Sequence, residues 1–146
     1  MDYIVTRNHF EKCKDILWDD VIFKIDFEIC HNSHKIIMSD NETIPTIVLH
    51  NNFYPKTIQT AFDEVKDKIF IRILHIYTSF SRDSKTFGRH CDDEDVILVQ
   101  SKGKTGYKFD DGKEIILSPG DSLFIPKGVY HDPILYEPRV TLSFSW

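Results

Sequence analysis

Gly120-Asp121-Ser122-Leu123-Phe124-Ile125-Pro126-Lys127-Gly128-Val129-Tyr130-His131 is the stretch on which the reading of the whole chain turns. A strand-length run from Ser122 to Ile125 lies between a turn at Gly120-Asp121 and a break at Pro126. Gly128 then lets the backbone re-enter, so that His131 is expected to face inward. Upstream, His90-Cys91-Asp92 offers a second imidazole and a carboxylate. Residues i and i+2 of a strand share a face, which aims His90 and Asp92 at one point and turns Cys91 to the opposite, core side. Two imidazoles and one carboxylate are the ligand set of a facial triad, which holds a divalent metal and leaves coordination positions open. His90, Asp92 and His131 are therefore the predicted metal ligands, and no catalytic group beyond them is predicted.

Around these motifs the C-terminal half reads as all-β. Ile69 to Ser79, Val96 to Ser101, Gly106 to Phe109, Glu114 to Leu117, Ser122 to Ile125 and Arg139 to Trp146 are short strand-like runs. Gly-, Pro- and Asp-rich turns separate them, with Asp110-Asp111-Gly112 the clearest hairpin signal. Many short strands at this spacing predict a sandwich or barrel. The N-terminal half is mixed. Residues 8–18 place Phe10, Cys13, Ile16 and Leu17 at roughly helical spacing. Val21 to Ile29 alternates apolar and charged residues from Phe23 onward, the period of a half-buried strand. Ser39-Asp40-Asn41-Glu42 reads as a turn and Thr46 to Leu49 as a strand. Residues 55–68 predict a helix, with Pro55 at its start and Ile58, Ala61, Phe62 and Val65 in one stripe. The expected organisation is one domain, 1–146, with an extension over 1–68 and the barrel over 69–146.

Composition narrows the class. With 146 residues, 41% hydrophobic and 13% aromatic, the chain can bury a real core. A formal net charge of -5 argues against a large nucleic-acid-binding face. The three cysteines, Cys13, Cys30 and Cys91, have no framework spacing and fit a reducing compartment. The opening segment lacks the apolar run of a signal peptide, and no stretch approaches the length of a membrane span. A soluble, cytoplasmic protein is expected.

The second motif resembles that of the cupin superfamily of double-stranded β-helix (jelly-roll) barrels. Gly88-Arg89-His90-Cys91-Asp92, with Gly103 following, resembles the first. The likeness covers roughly residues 70–146. Many cupins carry a second His where Asp92 stands and a Glu where Val96 stands; here three ligands replace four. His90-x-Asp92-x-x-Asp95-Val96, with Gly103 and Tyr107, resembles the JmjC-like hydroxylases, and among them the ribosomal oxygenase branch. The resemblance implies a mainly β barrel with short N-terminal α/β elements, and an Fe(II)- and 2-oxoglutarate-dependent dioxygenase.

A keto acid bound to the metal needs a cation and hydroxyl support for its far carboxylate. In the JmjC-like branch that cation often lies fifteen residues past the first ligand, where this chain has Thr105, preceded by Lys104. Arg139-Val140-Thr141 resembles the Arg-x-Ser/Thr anchor of other 2-oxoglutarate oxygenases, and Arg139 and Thr141 share strand parity. Arg139, Thr141, Thr105 and Tyr77 are thus the candidate cosubstrate residues. Two other readings stand beside this one: a cupin metalloenzyme that binds its substrate directly, as dioxygenase or isomerase, and a non-catalytic ligand-binding barrel. The expected substrate is a small molecule or an exposed protein side chain, with no membrane partner, and the reading is compatible with a homodimer. Glu94 reads as a solvated turn residue. His9, His31, His34, His50 and His75 read as surface or internally satisfied residues, and the first 68 residues show no recognisable reader of a substrate.

Overall fold

A computed structural model describes residues 2–33, 36–39, 44–50 and 53–146. The turn read at Asp40 to Glu42, and His34, lie outside the described residues. Ten strands are present among them: β1 (Ile4–Thr6), β2 (Ile37–Met38), β3 (Ile47–Leu49), β4 (Ile73–Ser79), β5 (Val96–Lys102), β6 (Thr105–Phe109), β7 (Glu114–Leu117), β8 (Ser122–Ile125), β9 (His131–Leu135) and β10 (Arg139–Ser145). Two α-helices, α1 (Trp18–Asn32) and α2 (Lys56–Lys68), follow a 3-10 turn at Lys12–Asp15. The strands form a seven-stranded sheet, β1-β8-β5-β10-β4-β3-β2, and a three-stranded sheet, β7-β6-β9. All named strand pairs are antiparallel. The architecture is the expected jelly roll.

Strand parity sorts the large sheet into two chemistries. Leu74 and Ile76 of β4, Ile97 and Val99 of β5, and Val140, Leu142 and Phe144 of β10 join one apolar cluster. That cluster also holds Phe10, Cys13, Ile16, Ile58, Ala61 and Val65 from the N-terminal segment. The intervening residues face the barrel interior, where Val96, Leu98, Tyr107, Phe109, Leu117, Leu123 and Ile125 form a second cluster. Burial on both faces is why Val96-Ile97-Leu98-Val99 reads as an unbroken apolar run. The segment before residue 69 is thus integral to the barrel. Its β1, β2 and β3 extend the large sheet and its helices cover one face.

The N-terminal elements correct two expectations. The helix read over 8–18 is only the 3-10 turn Lys12–Asp15, although Phe10, Cys13 and Ile16 are fully buried. The strand read over Val21–Ile29 is the middle of α1. Its inward face carries Val21, Lys24 and Glu28, at spacings of three and four, while Ile22, Phe23 and Ile29 are each more than half exposed. Lys24 Nζ lies 3.1 Å from Glu28 Oε1 and donates to the Phe53 carbonyl at 2.6 Å. A charge pair placed inward breaks the apolar stripe by which a helix is normally read. The helix read over 55–68 holds: α2 begins after Pro55 and buries Ile58, Ala61 and Val65.

Candidate metal centre and its two cavities

His131 opens β9 and meets His90 in an isolated antiparallel bridge. Each backbone N–H of the pair donates to the other's carbonyl at 2.9 Å. Asp92 follows in an irregular segment, 91–95, rather than on a strand. It is held by Gly128, whose N–H donates to the Asp92 carbonyl at 3.0 Å. Gly128 has φ of +80°, a conformation that favours glycine. The turn of the second motif is thereby fastened to the first. Because 91–95 does not alternate as a strand, Cys91 is half-buried and not a core residue, a correction to the sequence reading. Glu94 is exposed, as a solvated turn residue should be.

The side-chain chemistry at this point favours a cation. His90 Nε2 lies 3.9 Å from Asp92 Oδ1, and His131 Nε2 lies 3.6 Å from Asp92 Oδ2. One ligand atom from each of the three residues falls within 4.8 Å of the others. The opposite ring nitrogens sit 2.8 Å from the Gly88 carbonyl and 3.0 Å from the Val129 carbonyl. A carbonyl only accepts, so each Nδ1 carries the proton, and in the neutral rings each Nε2 presents a lone pair. Burial holds the His131 imidazole below its ordinary pKa, which favours that neutral form. Two lone pairs and a carboxylate converging without a proton fit a divalent metal, and carbonyl-oriented imidazoles are the usual supporting arrangement of one. On the outer side, Arg89 stacks 4.0 Å over the Tyr130 ring and pairs with Asp110 through two hydrogen bonds.

The candidate cosubstrate residues divide. Arg139 is on β10, a central strand, and is only 3% exposed. Its Nε donates to Ser79 Oγ at 3.0 Å and its Nη1 to Thr141 Oγ1 at 2.9 Å. Thr141 in turn donates to Gln100 Oε1 at 2.8 Å. Tyr77 places its ring 5.7 Å from the guanidinium, and Tyr107 is also within its reach. Burial, then the Asp92 carboxylate, pushes the Tyr77 phenol up to about 12, and burial raises Tyr107 as well. Both hydroxyls therefore remain donors at neutral pH. No carboxylate of the described residues pairs with Arg139. Thr105 stands behind this group. It is fully buried, accepts from Gln100 Nε2 at 3.1 Å and does not line the cavity.

The triad sits between two cavities. An inner one of about 30 Å³ is walled by Tyr77, Tyr107, Arg139, Thr141 and the three triad residues. An outer one of about 420 Å³ opens on His90 and Asp92. It is lined by Ile37, Val48, His50, His75, Tyr77 and Phe87. One cross-strand row joins the two: Ile37 pairs with Val48, Val48 with Tyr77, Tyr77 with Thr141, and Thr141 with Gln100. Opposed residues of a sheet share a face, so this row runs from the outer rim to the buried guanidinium. The N-terminal segment therefore does contribute to the site, contrary to the sequence reading. His50 and His75, read as surface or internally satisfied, are cavity-wall residues. Their partnership across β3 and β4 is non-local, and only the strand register shows it. His9 contacts Ser122 Oγ at 2.7 Å, away from the triad, and His31 is exposed.

Comparisons with known proteins agree with this architecture. The model of the AraC-like ligand binding domain matches residues 74–139. No curated protein sequence matches the chain. Among solved structures, the ribosomal oxygenase YcfD of Escherichia coli, in complex with cobalt and succinic acid, superposes with a TM-score of 0.70 at 17% identity, covering 99% of this chain and 48% of that one. Its complex with cobalt and 2-oxoglutarate gives a TM-score of 0.66 at 17% identity, over 99% and 47%. The Fe(II) form of HppE gives 0.53 at 12% identity, over 76% of this chain and 55% of the other. The chain spans about half the length of the ribosomal oxygenase chains it matches. No helix among the described residues is long and apolar enough to cross a membrane. By fold, the chain is a jelly-roll barrel similar to the one in the Escherichia coli ribosomal oxygenase YcfD.

Proposed function

We propose that this barrel is an Fe(II)- and 2-oxoglutarate-dependent oxygenase that hydroxylates a small molecule or an exposed protein side chain. The observation that carries the reading is Arg139, a buried guanidinium bonded only to hydroxyls among the described residues, in the wall of the same cavity that the triad lines. A buried charge without a counter-charge is costly. A dicarboxylate whose near end ligates the metal supplies that counter-charge. In this reading His90, Asp92 and His131 hold iron, while Arg139, Thr141, Tyr77 and Tyr107 hold the far carboxylate. Gln100 orients Thr141, and Thr105 orients Gln100. Bound iron and keto acid supply the oxidising power for C–H hydroxylation, which no side chain provides. The cobalt, succinate and 2-oxoglutarate complexes of the Escherichia coli ribosomal oxygenase support the assignment by analogy of fold.

The inner cavity is narrow, so a dicarboxylate enters only by displacing a wall. Phe87, at 40% exposed, is the wall with room to move. The same narrowness favours a second reading, in which a substrate ligates the metal directly from the outer cavity and no keto acid is used. Anaerobic titration with Fe(II) and 2-oxoglutarate separates the two. Appearance of the visible charge-transfer band of the iron–keto-acid chelate upholds the first. Iron binding without that band at saturating 2-oxoglutarate leaves the second.

A further inference from the structure

The outer cavity has its own chemistry. Its apolar walls are Ile37, Val48 and Phe87. Its polar wall is His50 and His75, whose rings meet edge to face with centroids 5.0 Å apart. Continuing the register that pairs Leu49 with Ile76 sets His50 opposite His75. Both rings are only partly buried, and neither makes a hydrogen bond within the described residues, whereas His9, His90 and His131 all do. Two imidazoles facing a cavity with their hydrogen-bonding edges unused are built to meet a ligand.

Charge decides which ligand. No Arg or Lys of the described residues is in the wall of this cavity, so an anionic head finds no fixed counter-ion among them. Among the described residues Asp92 is the only carboxylate in the wall, and it is already faced by His90 and His131. Asp93 and Glu94 line a neighbouring groove that shares His75 with this cavity, and neither is in the outer cavity's own wall. A cationic head is therefore not matched either. A neutral imidazole offers one donor and one acceptor, and a carboxamide offers the same pair on one planar group. Burial, and then the neighbouring His50, hold the His75 imidazole below its ordinary pKa.

We propose that His50 and His75 form the head-group subsite of the outer cavity and take an uncharged carboxamide, with Ile37, Val48 and Phe87 covering its aliphatic stem. The inference rests on the triad being the reaction centre, since the subsite presents its ligand to His90 and Asp92. The carboxamide is carried by a free small molecule or by an amide side chain of a protein.

The test follows ring-nitrogen signals of the full ¹⁵N-labelled chain, with and without Zn(II) as a diamagnetic occupant of the triad. Zn(II) should move the rings of His90 and His131; if it does not, the oxygenase reading fails, whatever happens at the outer cavity. Butanamide, butanoate and butylammonium, alike in length and different in charge, are then titrated. Butanamide should move His50 and His75 and leave His9 and His31 in place. Equal or tighter binding of either charged analogue, or no movement at His50 and His75, overturns the proposal. Acetyl-Gly-Asn-Gly-amide against acetyl-Gly-Ala-Gly-amide tests the source. Tighter binding of the Asn peptide than of butanamide assigns a protein side chain, and the reverse assigns a small molecule. His75→Phe should weaken butanamide about five-fold, the effect of one hydrogen bond, and His75→Gln should restore part of it. Wild-type affinity in His75→Phe, with the Zn(II) response of His90 and His131 intact, also overturns it.

Discussion

Lys24 and Arg139 are both buried cations, and they are solved in opposite ways. Lys24, on the inward face of α1, has a carboxylate one helical turn away in Glu28 and a carbonyl in Phe53. Arg139, on the inward face of β10, has Ser79 and Thr141 hydroxyls and no carboxylate of the described residues. The first charge has its carboxylate on its own helix and lines neither of the two cavities at the triad. The second lines a cavity that the triad residues also line. In the proposed reading, the charge paired internally serves folding and the charge left to hydroxyls serves binding. The two sites should therefore fail differently when cut.

The largest effect should come from Glu28→Ala. Removing one partner of a buried ion pair leaves the other charge behind, at about 3–5 kcal/mol of stability, measurable by denaturant titration. Replacing both, Lys24→Met with Glu28→Leu, should recover most of that loss, since well-packed apolar substitutes for buried pairs are often neutral. Equal stability of Glu28→Ala and the wild type would mean that α1 does not carry its charge pair inside.

Arg139→Leu should behave in the contrary sense. Folding stability should hold or rise slightly, because an uncompensated charge is removed. Binding of 2-oxoglutarate or succinate to the metal-loaded protein should fall by about thirty-fold or more, the effect of losing one member of a buried charge contact. Succinate at a hundred times its dissociation constant should raise the unfolding free energy of the wild type by about 2.7 kcal/mol and leave Arg139→Leu unmoved. An Arg139→Leu protein that still gains stability from succinate would remove the guanidinium from the site. Thr141→Val is the graded version, with about five-fold weaker binding for one hydroxyl.

The contrast also explains what could be read from the chain directly. The convergence of His90, Asp92 and His131 was legible because of their motif spacing and a Gly–Pro–Gly turn, and the shared face of Arg139 and Thr141 because strand parity is local. Lys24 and Glu28 hid α1, since apolar residues alternating with charge read as a strand when the charges are assumed to face water. The outer cavity was illegible for a different reason. His50 and His75 are neighbours only through the β3–β4 register, and Ile37 only through β2 pairing with β3. Nothing within a short window of sequence encodes those contacts. Thr105 shows the limit of positional analogy: it occupies the place of a family cation, yet the buried guanidinium in the cavity wall is that of Arg139 on β10, and Thr105 only accepts from Gln100.

The smallest effect sharpens the comparison by pH. Burial is the first cause that holds the imidazoles of His9, His75 and His131 below their ordinary range. Two of the three lie at the triad and its outer cavity, and none lies beside Lys24. A group whose folded pKa is depressed binds fewer protons folded than unfolded between the two values. Stability then rises with pH across that window and is level above it. Acidification from pH 7 should therefore begin to destabilise the protein near the unfolded imidazole value of about 6.5, with the loss growing until the folded values are passed. His75→Gln should flatten that slope, and Zn(II) should oppose it by holding His131 unprotonated. Glu28→Ala should lower the whole curve without changing its imidazole slope. A changed slope in Glu28→Ala would show that the two buried cations are not the independent sites their surroundings make them.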